Sequence, residues 1–233
     1  PRFGMLTPFR KTETLTTPGG RIWSITRSRT AMQLDPDNLL NFSTLQESTT
    51  INGKTFLDVF TRATRTLVRT TPAGRQVTTT LDTQGRVVQV AVPGILPMTL
   101  GYDAHGCLET VTQGARTVTR GYWPDGYLAT VTDPLSRVTT FTPDLVGRVE
   151  EVLRPDGETV LYDHDAVGNL IGVTPPGQGT HIFGYSGVDQ RESYDPPALA
   201  TGPTLTSWDH DIDRKLDTII RPDGIVLSYL RDP

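Results

Sequence analysis

The chain has 233 residues, a formal net charge of −4 and a single cysteine, Cys107. Its mixed charges leave no basic patch for nucleic acid, one cysteine excludes an internal disulfide, and no apolar stretch is long enough to span a bilayer. Glycine and proline are abundant, with 22 and 18 residues, while apolar residues still recur between them. This composition predicts a folded protein with many turns.

The first part of the chain, residues 1–70, reads as threonine-rich strands with an early turn at Thr17–Arg21. We interpret it as a set of divergent upstream β repeats. Its best helical candidate is Phe56–Leu67, which places apolar residues at helical spacing. The threonines in this stretch make a pair of strands at least as plausible, so the sequence leaves both structures open.

From residue 71 to residue 233 the sequence repeats with a period of about 21 residues. The clearest unit, residues 102–111, reads Y-D-x-x-G-x-L-x-x-V. Its aspartate position recurs at 82, 103, 123, 144 and 165, and degenerate copies follow at 186 and 211. The motif residues that we expect to shape the repeat are Asp82, Gly85, Tyr102, Asp103, Gly106, Tyr122, Gly126, Asp144, Gly147, Asp165, Gly168, Tyr185 and Asp211.

A second turn signal separates these units, as in Arg154-Pro155-Asp156-Gly157 and Arg221-Pro222-Asp223-Gly224. Proline fixes φ early in a turn and glycine supplies a positive φ after it, so each unit predicts two short strands joined by tight turns. The result is a series of consecutive antiparallel hairpins. The L-x-x-V pair has odd spacing, which requires either a β-bulge or two partly covered faces. The sequence does not choose between them.

The repeated Y-D-x-x-G-x-L-x-x-V motif resembles the YD repeats of rearrangement-hotspot (Rhs) proteins, teneurins and the shell components of Tc insecticidal toxins. The resemblance implies an all-β fold in which YD hairpins form a curved or spiralling sheet, as a segment of the shell of a larger protein. Its partners would be neighbouring repeats of the same polypeptide and an enclosed C-terminal effector. The implied location is secreted or at the cell surface of a bacterium.

These features predict a non-catalytic structural segment of an Rhs/YD-repeat shell that encapsulates a C-terminal effector or toxin. We find no catalytic constellation, no cofactor motif and no metal site in the sequence. Gly184-Tyr185-Ser186-Gly187 departs from a nucleophile elbow at Val188. The acidic run Asp209–Asp213 lacks the glycine and closing glutamate of a calcium loop. We therefore interpret the repeated aspartates as turn caps, whose carboxylates accept a backbone N–H two residues further on.

The alternative function is an adhesion module of a cell-surface protein that binds carbohydrate or protein. Its candidate ligand contacts are Trp123, Tyr127 and Trp208, because aromatic side chains at exposed turns are plausible sugar platforms. The competing interpretation is that these rings pack on neighbouring hairpins. We also expect self-association through unpaired sheet edges, since an open edge presents free backbone groups to a second chain.

Overall fold

The computed structural model describes residues 10–35, 38, 41–198 and 202–229. These residues form twenty β-strands and contain no helix. The chain divides into two compact units, Pro1–Val118 and Thr119–Pro233, and the division falls inside strand β10.

The strands of the first unit differ markedly in length, from 12 residues in β2 to five in several others. They are β1 (Thr12–Thr16), β2 (Ile22–Gln33), β3 (Phe42–Ile51), β4 (Lys54–Thr61), β5 (Thr66–Thr70), β6 (Gln76–Leu81), β7 (Val87–Ala91), β8 (Met98–Tyr102), β9 (Leu108–Gln113) and the start of β10 (Arg116–Tyr122).

The strands of the second unit are short and nearly uniform. After the end of β10 they are β11 (Leu128–Thr132), β12 (Val138–Pro143), β13 (Val149–Leu153), β14 (Thr159–His164), β15 (Leu170–Thr174), β16 (His181–Tyr185), β17 (Arg191–Asp195), β18 (Thr206–His210), β19 (Leu216–Ile220) and β20 (Val226–Ser228).

Within each unit every strand pairs antiparallel with the next strand along the chain, from β1 to β9 and from β10 to β20. Each unit therefore consists of antiparallel strands in chain order. Short connections favour this arrangement, because a tight turn can only return the chain beside the strand it has left. The predicted fold class, an all-β array of consecutive antiparallel hairpins, is confirmed.

Phe56–Leu67 is part of a strand pair, so its helical alternative is wrong. Phe56 and Phe60 lie in β4, the chain turns at residues 62–65, and Leu67 lies in β5 directly opposite Phe60. Asn52-Gly53 joins β3 to β4 as a two-residue turn with positive φ angles of 48° and 79°. Such a turn matches the twist of paired strands and therefore fixes a long hairpin here.

A β-bulge follows the Y-D-x-x-G turn in each of the seven repeats, and it resolves the odd L-x-x-V spacing. Leu128 lies opposite Tyr122 and Thr130 lies opposite Gly121, so Ala129 is the extra residue. One extra residue shifts the alternation of side chains by one position. The leucine and valine positions of each repeat consequently share one face of the sheet.

The two faces of the second unit differ in composition. Following the register across the strands, one face carries the apolar positions Val131, Phe141, Val152, Tyr162, Val173, Phe183, Tyr194, Trp208 and Ile219. The opposite face is mixed, because its register positions include polar residues at Thr130, Thr140, Glu151, Asp163, Ser193, Ser207 and Thr218 and apolar residues at Leu153, Leu161, Ile182 and Ile220. We call the first the apolar face.

Among the described residues Ile25, with 7% of its surface exposed, is the one buried hydrophobic residue. The other apolar strand residues are mostly half-buried between their neighbours, because the sheet is a single layer. Stability must therefore accumulate from lateral contacts between consecutive hairpins, as it does in repeat proteins. The predicted change of repeat type at residue 70 coincides with the end of β5 and stays a prediction.

Candidate functional site

The seven loops that begin at positions 82, 103, 123, 144, 165, 186 and 211 share one backbone structure, and we call them the YD turns. In the turn at Asp144, the Gly147 N–H donates to the Asp144 carbonyl (3.0 Å) and the Asp144 N–H donates to the Arg148 carbonyl (2.7 Å). Equivalent pairs of backbone hydrogen bonds occur in all seven. The fourth residue has a positive φ, 87° at Gly147, which glycine adopts at little cost.

The aspartate that opens a YD turn caps the loop with its side chain. Asp144 Oδ1 accepts the backbone N–H groups of Val146 (3.0 Å) and Arg148 (2.9 Å). Asp82 and Asp103 accept the same two hydrogen bonds in their own turns, and Asp165 accepts a third. These are the contacts that a turn-capping role requires, and they hold the loop closed.

The caps lower the pKa of four aspartates below its ordinary value. For Asp82 the main cause is the hydrogen bond from the Arg86 backbone N–H. For Asp133, which opens a turn at the other end of the strands, the main cause is the hydrogen bond from the Arg137 side chain. For Asp165 it is the side-chain amide of Asn169. Partial desolvation at Asp144 opposes the shift, but the hydrogen bonds from Arg148 and Val146 outweigh it. Each carboxylate is thus stabilised in its charged form.

Three YD turns keep their shape although their motif residues are replaced. Ser186 takes the place of aspartate and its Oγ accepts the N–H groups of Val188 and Gln190. Asp189 and Arg214 stand at the glycine position of the last two turns, each with a φ of 62°. Trp123 has no capping oxygen, and in that turn Asp125 makes a long contact of 3.5 Å with the Tyr127 N–H.

In three consecutive YD turns of the second unit, the residue that closes the turn, four positions after its first residue, also donates a hydrogen bond to the next YD turn. Arg148 Nη1 donates to the Asp165 carbonyl (2.7 Å), and Asn169 Nδ2 donates to Asp189 Oδ1 (2.9 Å). Gln190 Nε2 donates to the Arg214 carbonyl (2.8 Å). These closing residues therefore link consecutive turns into a column along one rim of the sheet.

The glycine position of the motif has a second role in this column. A Cβ atom on Gly147 would overlap the ring of Tyr127, the closing residue of the preceding turn, and one on Gly106 would approach Arg86 Nη1 to 3.2 Å. Gly126 has open space at the same place. Sequence reasoning explained these glycines by φ alone. The contact partner lies 20 residues upstream, at a distance that only the repeat period could have suggested.

The tyrosine position anchors one hairpin on another. Tyr102 Oη donates to the Val87 carbonyl (2.8 Å), and the Arg86 guanidinium lies 4.4 Å from the centre of the Tyr102 ring. Tyr122 and Tyr185 occupy the same register position, opposite Leu128 and Arg191 respectively. A large ring with a polar tip suits this place, because it packs across strands and still satisfies its hydroxyl.

The three candidate ligand-contact aromatics do not form one cluster. Trp123 and Tyr127 lie in one YD turn and are 40% and 42% exposed. The Trp123 indole N–H donates to the Phe141 carbonyl (3.1 Å), so its edge is anchored to the next hairpin. Trp208 is half-buried in β18, with the Arg191 guanidinium 5.7 Å from its ring. Their role in ligand binding stays a prediction.

The acidic run near the end of the chain is dispersed by the strand and its turn. Asp209 is in β18 opposite Thr218, whereas Asp211 caps the following turn by accepting the Lys215 N–H (2.8 Å). Asp213 lies 3.8 Å from the Lys215 ammonium. Over the described residues no group of three metal-ligating side chains comes together, and no helix has the length and apolarity to cross a membrane.

Solved structures of Tc toxins resemble this fold. The chain aligns with a crystal structure of TcdB2-TccC3-Cdc42 at 13% identity and a TM-score of 0.56, covering 94% of this chain and 15% of that one. TcdB2-TccC3 without its hypervariable C-terminal region gives 12% identity and 0.55, covering 89% and 15%. The Tc holotoxin pore of Photorhabdus luminescens, with a TccC3 mutation, gives 14% and 0.51, covering 93% and 15%.

The chain thus spans about 15% of the length of the structures that it resembles. At these identities the likeness establishes the fold alone. Among curated proteins no sequence matches the chain. The sequence model of the family described as Teneurin YD-shell, however, matches residues 9–232, almost the entire chain. Together with the repeated turns, this match shows that the chain belongs to the teneurin YD-shell family.

Proposed function

We propose that this chain is a non-catalytic wall segment of a YD shell in an exported bacterial protein, and that the shell encloses an effector carried by the same polypeptide. The observation that carries the proposal is the apolar face of the second unit, which repeats through every hairpin but is covered by no second layer among the described residues.

An extended apolar face on a single-layer sheet is costly to leave in water. Continuing the array until its wall surrounds an interior would shelter that face and leave few open edges. A hairpin repeat suits this task, because each unit adds the same lateral contacts and sheet curvature can be set by its bulge. The family match and the likeness to Tc toxin structures support a shell.

The use of the polar motif residues supports a structural role. Asp82, Asp103, Asp144 and Asp165 use their carboxylates to close their own turns. His181 Nδ1 lies 2.7 Å from the Tyr194 hydroxyl, and their rings stack. Side chains engaged in this way contribute to the wall.

Protease protection of the longer polypeptide that contains this segment tests the enclosure. We expect the effector region to be cleaved much more slowly in the native protein than the same region expressed alone. Val152→Asp with Val173→Asp places two charges on the apolar face and should open the wall. Equal cleavage rates for the enclosed and the free effector region would contradict the proposal.

The second candidate function is adhesion through exposed aromatic side chains. The exposure of Trp123 and Tyr127 at one turn favours it, since exposed rings are suitable platforms for sugars. Binding to a glycan array that Trp123→Ala abolishes, and the half-buried Trp208→Ala retains, would support it. The absence of saturable binding by the unmodified chain would exclude this function for the array tested.

A further inference from the structure

The tips of four consecutive YD turns in the second unit carry exposed aliphatic side chains. Leu145 and Ile212 are fully exposed, and Val146, Val167 and Val188 are 66%, 77% and 48% exposed. Turn tips are ordinarily occupied by glycine, proline, asparagine, aspartate and serine. We call these five residues the apolar rim.

The same loop positions carry smaller or more polar residues in most other described turns. The YD turns of the first unit carry Thr83-Gln84 and Ala104-His105 at their tips. On the opposite rim of the second unit, the tips are Pro155-Asp156 and Pro222-Asp223, with Leu135 as the exposed aliphatic exception. The first unit has exposed aliphatic residues in one loop, Ile95 and Leu96 between β7 and β8, but the row of such tips on consecutive YD turns lies in the second unit and is not required by the turn itself.

The apolar rim is a row of exposed tips on consecutive YD turns. Consecutive tips are two strands apart, which is about 10 Å, so the row is about 30 Å long. A groove of about 450 Å³ lies between its first tip and the preceding turn, and it is lined by Trp123, Pro124, Asp125, Thr142, Pro143, Asp144 and Leu145. The exposed part of the Trp123 side chain contributes an apolar wall to this groove.

We propose that the apolar rim is a docking surface for a second copy of this chain. A second rim has the same spacing of about 10 Å, so its tips can lie alongside those of the first along the whole row. Leu145 or Ile212 of one copy would fill the groove beside Trp123 of the other. Such self-complementarity is the requirement for a two-fold symmetric contact. The inference does not depend on the enclosure of an effector.

The buried area predicts a weak contact. Five aliphatic side chains that move from water to an apolar contact bury on the order of 500 Å² per copy. Two rims then bury on the order of 1,000 Å², which is at the lower limit for a specific interface. The dimer should therefore be concentration-dependent. Leu145, Val167 and Ile212 project into solvent from their loops, so their replacement should leave the hairpins folded.

Sedimentation velocity of the 233-residue chain, from about 10 µM to 1 mM, tests the proposal. We expect the unmodified chain to shift from monomer to dimer across this range. The double variant Leu145→Asp, Ile212→Asp should remain monomeric, with an unchanged thermal unfolding midpoint. Leu135→Asp places the same charge at an exposed tip of the opposite rim and should still dimerise.

Leu227→Lys is the second control, because it introduces a charge into β20, the last strand among the described residues. We expect this variant to dimerise like the unmodified chain. The proposal is overturned if the unmodified chain stays monomeric, if the apolar-rim variant still dimerises, or if Leu227→Lys alone abolishes association. The last result would assign self-association to the sheet edge.

Discussion

The long hairpin β3–β4 and the short YD hairpins establish the register of the sheet in different ways. Strands β3 and β4 pair through eight consecutive positions, from Thr44 opposite Thr61 to Ile51 opposite Lys54, without a bulge. In a YD hairpin such as β12–β13, four pairs are interrupted by a register shift. The long hairpin is specified by its ladder and its Asn52-Gly53 turn, whereas each YD hairpin is specified by its capped loop and its bulge.

This difference indicates what each region tolerates. A continuous ladder holds its register through many small contributions, but any change of one residue moves the following side chains to the wrong face. A YD hairpin has few ladder positions, and its loop supplies what the ladder lacks. The carboxylate cap, the positive φ at the fourth residue and the contact with the next turn are each concentrated in a single residue. Four predictions examine this contrast.

The largest expected effect comes from removing one residue from each region. Deletion of Val59 inverts the faces of part of β4 and should destabilise the chain by about 3 kcal/mol or more, comparable to losing a buried phenylalanine. Deletion of Glu150 removes the extra residue of a bulge, leaving Val149 opposite Pro143 and Glu151 opposite Thr142. It should cost less than about 1 kcal/mol. Urea denaturation of both variants measures the difference; equal losses would refute the distinct role of the bulge.

Glycine-to-alanine substitutions separate the two roles of the motif glycine. Gly126→Ala and Gly147→Ala both place a Cβ at a positive φ. Each should lower the free energy of unfolding by about 1–2 kcal/mol for this reason. Only Gly147→Ala also displaces the Tyr127 ring, so it should destabilise the chain more. In a Tyr127→Ala background the two substitutions should become equivalent. A double-mutant cycle with no coupling beyond about 0.5 kcal/mol would show that the turns are independent.

Acidification should weaken the YD turns before the long hairpin. A lowered pKa in the folded state stabilises the fold above the unfolded pKa, and this contribution disappears as the pH falls through the folded pKa. Asp82, Asp144 and Asp165 all have lowered pKa values. Below about pH 4, the N–H groups of Val146 and Arg148 should therefore exchange faster, relative to their intrinsic rates, than those of Leu57 and Val59. Equal changes in NMR exchange protection would contradict this prediction.

The smallest effect is expected at the Asp58–Arg69 ion pair of the first unit. Arg69 donates through Nε to Asp58 Oδ1 (2.7 Å) and through Nη2 to Oδ2 (2.8 Å), and these bonds raise the pKa of Arg69. Its side chain is nevertheless 60% exposed, so water screens the pair. Arg69→Lys should change the unfolding free energy by less than about 0.5 kcal/mol. A loss of unfolding free energy above about 1.5 kcal/mol would indicate that the pair of hydrogen bonds from the Arg69 guanidinium to Asp58 is essential.

Much of the fold could be predicted from the sequence, because its signals are local and repeated. The D-x-x-G turns impose hairpins at a fixed period, and the structure contains a strand on each side of every one. The odd spacing of Leu128 and Val131 indicated either a β-bulge or two partly covered faces, and the spacing alone is compatible with both. The helical spacing at Phe56–Leu67 was ambiguous, although Asn52-Gly53 is a strong hairpin signal just before it.

The hydrogen bonds between consecutive YD turns, and the apolar rim, could not be predicted in the same way. Both depend on the lateral spacing of hairpins, which brings Arg148 to Asp165 and Asn169 to Asp189 across about one repeat. A single repeat contains no trace of these contacts, since donor and acceptor belong to different units. The exposure of Leu145 and Ile212 likewise follows from their place at the tip of a closed loop, whereas their chemistry alone suggested burial.

Electron cryo-microscopy of the longer polypeptide that contains this segment is the most direct test of the central claim. The account predicts a hollow particle whose wall includes these 233 residues as a single layer, with the apolar face towards an interior that holds further density. An extended array with water on both faces, or a particle whose hairpins pack around no interior, would contradict it.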